Sequence, residues 1–186
     1  MGARGELFNP PPAGAWMRGP PPEPRLIILD LDRTVWNHED VSRLVPPFRR
    51  VSEREVVDSS GEAVRLRDGV REFLRSAKRS GALLAVASWN RKERAEPIME
   101  LLGILEFFDL LVIEFHPRKD EMVEEILREL RVRPEEAVFI DDDPRMIRRV
   151  GERFPRISLI LFGEDVSSFR ELGRLLGVRI EEESDG

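Results

Sequence analysis

The feature that most constrains the fold of this 186-residue chain is a short apolar run that recurs five times, with helical patterns between the copies. The five runs are RLIILD (25–30), ALLAVAS (82–88), LLVIE (110–114), AVFID (137–141) and ISLILF (157–162). Such runs are typical of strands that are buried on both faces of a parallel sheet. Helices between the strands cover the two faces. The sequence therefore predicts an α/β fold with a doubly wound, Rossmann-like parallel sheet.

Composition divides the chain into a lead, one domain and a tail. Seven of the fourteen prolines lie in residues 1–24, which predicts an extended, flexible lead, with Met17 as a second candidate start of the natural chain. Residues 25–180 are long enough for a single domain, and 181–186 form an acidic tail. Within the domain, the segment 37–67 has two β-prone runs around DSSG, which predict a β-hairpin flap and leave no room for a large cap domain.

Composition also excludes several classes of function. The chain has no cysteine, which rules out disulfides, thiolate zinc sites and a cysteine nucleophile, and two histidines are too few for a histidine-based metal cluster. A net charge of −6 disfavours binding to nucleic acid or to an anionic membrane. With neither an apolar run of about 20 residues nor a signal peptide, a cytoplasmic protein is expected. The charged fraction of 35% is typical of heat-adapted, thermophilic proteins.

Polar residues follow the apolar strands, at the edge of the sheet where open α/β folds bind ligands. We therefore expect them to converge on one site. Thr34 is the only threonine in the chain, and Lys119 is one of three lysines, so both stand out by rarity. Arg118 and Lys92 are the competing choices for the cation. The candidates are Asp30, Asp32 and Thr34 after the first strand, Ser88 at the end of the second, Lys119 after the third, and Asp141, Asp142 and Asp143 at the end of the fourth.

The carboxylates of this predicted site need a counter-charge. Two unit charges about 4 Å apart repel each other by roughly 4 kcal/mol at an effective dielectric near 20. A hard divalent cation with oxygen ligands, Mg²⁺ above all, removes this repulsion. A hydroxyl and an ammonium group beside Mg²⁺ would then hold an anion, for which phosphate is the natural choice.

Two families place aspartates, a Ser/Thr and a lysine on such a sheet. Response-regulator receiver domains have the order Asp-Asp, Asp, Ser/Thr, Lys, whereas this chain has Asp30/Asp32, Ser88, Lys119, Asp141/Asp142. The chain therefore resembles the haloacid dehalogenase-like (HAD) hydrolases in LDLDRTVW, LAVAS, Lys119 and VFIDDDP. The segment PPFRRVSEREVVDSSGEAVRLRDGV is also similar to the magnesium-dependent phosphatase-1 family. The stretch SWNR differs from the Ser-Arg found at this position in that family and is more similar to the second motif of the FkbH-like acyl-transfer enzymes.

The resemblance implies a role for each residue. Asp30 would be the nucleophile that forms an aspartyl-phosphate, and Asp32 the general acid and base. Mg²⁺ would be held by Asp30, Asp141, Asp142 and the backbone carbonyl of Asp32. Phosphoryl oxygens would contact Ser88 and Lys119, and Thr34, also placed with the phosphate-binding residues, would orient the loop that carries Asp32. Trp89 and Asn90 are placed with the phosphate-binding residues, with helix capping and core packing as their alternatives, and Trp36 is assigned to packing.

The expected function is Mg²⁺-dependent hydrolysis of phosphate monoesters, on a phosphoprotein or on a phosphorylated small molecule such as a sugar phosphate. Neither nucleic acid nor membrane is an expected partner. FkbH-like glyceryl transfer is one alternative. A non-catalytic module that binds metal or phosphate is the alternative from another class of protein.

Overall fold

The computed structural model describes residues 23–180, so the predicted acidic tail and all but the last two residues of the predicted lead lie outside the described part. The strands are β1 (Leu26–Leu29), β2 (Arg49–Ser52), β3 (Glu55–Val57), β4 (Ala63–Arg65), β5 (Leu83–Trp89), β6 (Leu110–Glu114), β7 (Ala137–Asp141) and β8 (Ser158–Leu161). Five of them form a parallel sheet in the order β6-β5-β1-β7-β8. These are the five strands predicted from the apolar runs, so the predicted fold class is confirmed.

The first strand lies at the centre of the sheet. Leu26 is in register with Leu83 of β5 on one side and with Ala137 of β7 on the other. Every residue of β1 is fully buried. Because successive side chains of a strand point to opposite faces, Ile27 and Leu29 join one core cluster while Leu26 and Ile28 join the other. The central position of β1 explains why its sequence is apolar without alternation.

Helices cover both faces of the parallel sheet. The helices are α1 (Val70–Arg79), α2 (Lys92–Leu101), α3 (Lys119–Leu130), α4 (Pro144–Arg153) and α5 (Phe169–Leu175). Buried residues of α1, α2 and α5 join the core cluster of Ile27 and Leu29. Buried residues of α3 and α4 join the cluster of Leu26 and Ile28. The sheet is therefore doubly wound, as predicted. None of the helices within residues 23–180 has the length and apolar character needed to cross a bilayer.

The segment after β1 carries a small antiparallel sheet in the order β2-β3-β4. The predicted hairpin corresponds to β3 and β4, and β2 is an additional strand at its edge. Val56 and Val64 pack this sheet onto the main core. The turn between β3 and β4 is organised by Asp58, whose Oδ1 accepts backbone hydrogen bonds of 2.9 Å from Ser60 and Glu62. Its Oδ2 accepts one of 2.9 Å from Val45, which ties the turn to the preceding loop.

One local prediction is wrong. Helix capping was an alternative role for Asn90, but the residue at the N-cap of α2 is Arg91, and no side chain caps the helix there. Asn90 is instead fully buried, with its backbone N–H bonded to the carbonyl of Glu114 at 3.0 Å. Its side-chain amide donates a hydrogen bond to Asp32 instead.

Candidate functional site

The predicted site residues converge at the carboxyl ends of three neighbouring strands. Asp30 follows β1, and its N–H donates to the carbonyl of Ile140 in β7 at 3.0 Å. Asp141 is the last residue of β7, and Ser88 lies near the end of β5. Lys119 is the first residue of α3, the helix that follows β6. The parallel sheet therefore gathers residues that lie up to 111 positions apart (30 to 141) in the chain.

The Lys119 ammonium group is the buried cation of the site. Its Nζ donates to Asp30 Oδ1 at 2.7 Å, to Asp141 Oδ2 at 2.9 Å and to the Ala87 carbonyl at 2.7 Å. All three protons of the ammonium group therefore have acceptors. Burial alone would lower the pKa of Lys119, but the charges of Asp141 and Asp30 raise it above its usual value, so the group stays charged.

Three carboxylates form a cluster that fits a divalent cation. Asp30, Asp141 and Asp142 each offer one oxygen, and these three oxygens lie within 4.8 Å of one another. Opposite ligands of an octahedral Mg²⁺ are about 4.1 Å apart, given its bond lengths of 2.0–2.1 Å. Small side-chain rotations would therefore bring the three oxygens to binding distance from one ion. A donor set made only of oxygen atoms also favours Mg²⁺ over softer metals.

Thr34 connects two members of the acidic cluster. Its side chain is fully buried, and Oγ1 lies 3.3 Å from Asp30 Oδ2 and 3.5 Å from Asp142 Oδ1, so its one proton can be donated to either carboxylate. Its backbone N–H donates to the Leu31 carbonyl at 3.1 Å, inside the loop that carries Asp32. The residue therefore lies where the sequence placed it, although its contacts are to carboxylates.

Burial and mutual repulsion make the carboxylates hard to ionise without a further cation. Burial raises the pKa of Asp30 to about 7, a rise that Lys119 opposes and Asp142 reinforces. Burial, followed by the charge of Asp30, raises the pKa of Asp141 to about 7. The pKa of Asp142 is raised to about 6 by burial and then by Asp141. A bound cation would reverse these shifts by favouring the ionised forms.

Asp32 lies apart from this cluster and has its own hydrogen bonds. Its Oδ1 accepts from Trp36 Nε1 at 2.8 Å and from the Val41 N–H at 3.3 Å. Its Oδ2 accepts from Asn90 Nδ2 at 2.8 Å. Burial raises the pKa of Asp32 to about 6, against the opposing effect of the Trp36 hydrogen bond. Two aspartates separated by one residue thus have different surroundings.

Ser88 has an unsatisfied hydroxyl. The residue is 1% exposed, and its Oγ has no hydrogen-bond partner among residues 23–180. Leaving a buried hydroxyl unpaired costs about 1–3 kcal/mol. The orphaned group belongs to the residue after Ala87, whose carbonyl accepts from the Lys119 ammonium group at 2.7 Å. A bound anion would supply the missing acceptor.

A cleft of about 180 Å³ opens over the site. Trp89 lies at its edge with 45% of its surface exposed. Arg33 and Glu39 also border the cleft and form an ion pair with each other. The lining residues are Asp30, Asp32, Arg33, Glu39, Trp89, Lys119, Asp141, Asp142, Asp143 and Met146.

Two contacts of the site were not foreseen. Trp36, assigned to packing, is indeed fully buried, but its indole N–H also donates to Asp32. Asn90, placed with the phosphate-binding residues, directs its amide to the same carboxylate. The four-residue spacing of Asp32 and Trp36 around a turn was the available signal for the first contact. No sequence pattern indicated the second, which joins residues 58 positions apart.

Comparison of the sequence with known proteins finds phosphatases. The model of the family described as acid phosphatase matches residues 22–154. Human magnesium-dependent phosphatase 1 is 30% identical over 126 residues, which are 67% of this chain and 70% of the human protein.

Solved structures share the fold at low sequence identity. A HAD-superfamily hydrolase from Ehrlichia chaffeensis superposes with a TM-score of 0.65 at 16% identity, over 84% of this chain and 97% of the other. The N-terminal part of a Bacteroides fragilis protein, which contains a phosphatase domain complexed with Mg, gives a TM-score of 0.56 at 22% identity. That match covers 86% of this chain but spans only 41% of the other. The family match, the curated relative and the shared fold agree: the chain belongs to the acid phosphatase family and has the fold of the HAD-superfamily hydrolases.

Proposed function

We propose that this protein is a Mg²⁺-dependent phosphohydrolase that cleaves phosphate monoesters through an aspartyl-phosphate intermediate. The observation that carries the proposal is the cluster of Asp30, Asp141 and Asp142 oxygens within 4.8 Å, with the Lys119 ammonium bonded to two of the three residues. Residues 25–180 would form the single phosphatase domain, with 37–67 as its flap. The relatives named for magnesium-dependent phosphatase activity and for bound Mg support the same conclusion.

The residues that would hold Mg²⁺ are Asp30, Asp141, Asp142 and, through its backbone carbonyl, Asp32. The ion would neutralise the clustered carboxylates and the phosphoryl oxygens next to them. The side chain of Asp32 has its own donors outside this cluster, and one of them, Asn90, is the single donor to Oδ2 among the described residues, which leaves that oxygen room for a proton.

In the first step, a carboxylate oxygen of Asp30 attacks phosphorus, and the bond between phosphorus and the ester oxygen breaks. The leaving oxygen takes the proton of Asp32 and departs as an alcohol. In the second step, the Asp32 carboxylate takes a proton from water, whose oxygen attacks the phosphorus of the aspartyl-phosphate. Phosphate leaves, and the carboxylate of Asp30 and the proton on Asp32 are both restored.

Two side chains, those of Lys119 and Ser88, would bind the transferred group, and two more would support the reaction. Lys119 is anchored by Ala87 and by carboxylates, which hold its charge beside Asp30, where negative charge develops on the phosphoryl oxygens. The unpaired hydroxyl of Ser88 would donate to one of those oxygens. Thr34 would keep Asp30 and Asp142 in position through its hydroxyl. Trp89, half-exposed at the edge of the cleft, would contact the organic part of the substrate.

The shape of the entrance is compatible with two classes of substrate. The flap is a small three-stranded sheet, and no larger insertion covers the cleft within residues 23–180. A side chain on a phosphoprotein and a sugar phosphate would both reach Asp30 through such an opening.

An aryl phosphate assay tests the proposal. Turnover should require Mg²⁺, should stop when the ion is chelated, and should fall by roughly 10⁴-fold or more in Asp30→Asn, which removes the nucleophile while keeping its shape. Asp68→Asn is the matched control, because Asp68 is an exposed carboxylate paired with Arg54 outside the cleft. A folded wild-type protein without turnover on a broad panel of phosphate esters would refute the proposal and favour a non-catalytic module.

A further inference from the structure

The carboxylate of Asp32 has three hydrogen-bond donors around it, and they are divided unequally between its two oxygens. Oδ1 accepts from Trp36 Nε1 at 2.8 Å and from the Val41 N–H at 3.3 Å. Oδ2 accepts only from Asn90 Nδ2, at 2.8 Å, among the residues that the structure describes. The two oxygens are therefore not equivalent.

This division determines where a proton can lie. Each carboxylate oxygen has two lone-pair positions that can accept a hydrogen bond or carry a proton. On Oδ1 both positions are taken by fixed N–H groups. On Oδ2 one position is taken by Asn90, and the other remains open. A transferable proton on Asp32 therefore belongs on Oδ2, and the donated hydrogen bonds hold that oxygen in one orientation.

The amide of Asn90 is itself held in place. Its Oδ1 accepts from the backbone N–H of Arg91 at 2.9 Å, so its NH₂ group is the end that faces Asp32. Its backbone N–H donates to Glu114 in the neighbouring strand β6 at 3.0 Å. The side chain is fully buried, as is that of Trp36. Neither donor can turn away from Asp32 without leaving a buried polar group unpaired, which costs about 1–3 kcal/mol.

We propose that Asn90, together with Trp36, is a positioning residue that selects Oδ2 of Asp32 as the atom that gives its proton to the leaving group and takes it back from water. This inference rests on the proposed phosphatase activity. Asn90 acts through Asp32 and does not touch the reacting phosphorus. The two amide protons of Asn90 stay in place throughout, and the only proton that moves is the one on Oδ2.

The role has a kinetic signature that a merely structural role lacks. An alkoxide is a poor leaving group and needs a proton as its bond to phosphorus breaks, whereas a nitrophenolate leaves readily without one. Misplacing the proton donor therefore slows the hydrolysis of alkyl phosphates far more than that of p-nitrophenyl phosphate. A general loss of active-site structure would slow both reactions together.

The experiment compares Asn90→Leu with the wild-type protein on glycerol 2-phosphate and on p-nitrophenyl phosphate, at saturating Mg²⁺. Leu has nearly the shape of Asn but donates no hydrogen bond. We expect kcat/KM, which reports the steps up to release of the alcohol and excludes the later hydrolysis of the shared aspartyl-phosphate, to fall by about 10-fold or more on the alkyl ester and by less than about 3-fold on the aryl ester. The Mg²⁺ concentration for half-maximal activity should stay the same, because Asn90 contacts none of the three clustered carboxylates.

Asn37→Leu is the matched control, since Asn37 is an exposed asparagine outside the cleft lining, and it should leave both reactions unchanged. Trp36→Phe removes the indole donor while keeping a smaller aromatic ring in the core, and it should repeat the selective loss on the alkyl ester, so the inference stays testable if Asn90→Leu does not fold. Equal losses on the two esters, or no loss on either, would overturn the inference alone. A wild-type protein that hydrolyses neither ester would instead overturn the proposed function and this inference with it.

Discussion

Nζ of Lys119 lies 2.7 Å from Oδ1 of Asp30, although 89 positions separate the two residues in the chain. Both side chains are almost fully buried, with 3% and 9% of their surfaces exposed. A charge in such a place is stable only when it is paired, because burial removes its hydration. Lys119 is therefore both a candidate phosphate ligand and the counter-charge that lets the carboxylates be buried.

Replacing Lys119 by Met should destabilise the metal-free protein. The change leaves Asp30 and Asp141 buried without their cation, and breaking a buried ion pair in this way costs about 3–5 kcal/mol. Urea unfolding in the presence of a chelator measures this loss. Lys78→Met is the matched control, because Lys78 pairs with Asp109 at 2.7 Å near the surface and should lose only about 1 kcal/mol or less. Equal losses in the two variants would contradict the expectation.

Binding of Mg²⁺ should stabilise the folded protein through Asp142. A ligand present at about 100 times its dissociation constant stabilises the folded state by about 2.7 kcal/mol, which raises the melting temperature. Asp142→Asn should lose most of this rise because it removes one charged ligand of the cluster.

The neighbouring residue Asp143 provides the control for that experiment. It lies outside the cluster and caps α4 by accepting from the Arg145 N–H at 2.9 Å. Asp143→Asn should therefore keep the full Mg²⁺-dependent rise, and its metal-free melting temperature should change little, because asparagine caps a helix about as well as aspartate. Loss of the rise in Asp143→Asn and its retention in Asp142→Asn would show that the ion binds elsewhere.

Acid should weaken the flap through Asp58. Hydrogen bonds from the Ser60 hydroxyl and then from the Val45 N–H lower the pKa of Asp58 to about 2 from its usual value near 3.8. Between these two values the unfolded chain binds the proton and the folded chain does not. The stabilisation is therefore complete above about pH 4 and is lost as the pH falls toward 2.

The variant Asp58→Asn tests this dependence. At neutral pH it should be less stable than the wild type by about 1–3 kcal/mol, because the ionised carboxylate accepts several hydrogen bonds. Urea unfolding at a series of pH values should show the gap closing between pH 4 and 2. A gap that stays constant over that range would contradict the assigned direction of the shift.

Trp89→Ala should weaken binding of an aryl phosphate without slowing its chemistry. An aromatic contact contributes about 0.5–1.5 kcal/mol, which corresponds to a rise in KM of roughly 2- to 12-fold with kcat little changed. Phe115→Ala is the control: Phe115 is also exposed, but its ring lies 4.1 Å from the Arg91 guanidinium carbon and does not border the cleft. A fall in kcat at constant KM would assign Trp89 to the transition state instead.

The central sheet was readable from the sequence because burial on both faces demands an uninterrupted apolar run. All five predicted strands are present, and LLVIE matches β6 at both ends. Predicting which residues meet at the edge of the sheet needed only the rule that parallel strands share a direction. Asp30, Lys119 and Asp141 do meet there.

Predictions that depended on a single side chain were less successful. Asparagine is a preferred N-cap residue, so local preference alone would place the Asn90 side chain at the start of α2. Tertiary structure overrode that preference. In the folded chain the Asn90 amide lies beside the Asp32 carboxylate and donates to it, and Arg91 is the N-cap residue of α2. The strand β2 was missed for a related reason: all four of its residues are exposed, so it carries no apolar signal.

Apolar periodicity and the order of polar residues at strand ends thus specify the architecture of this protein and the members of its acidic cluster, because both follow from local burial and chain direction. The hydrogen bonds that distinguish Asp32 from Asp30 depend on which side chains the folded chain brings within 3 Å. Trp36 reaches Asp32 through a turn, four residues further along the chain, and Asn90 reaches it from the end of a neighbouring strand, 58 residues further along. That proximity exists only after the sheet has formed, so only the folded structure shows which oxygen is left to carry a proton.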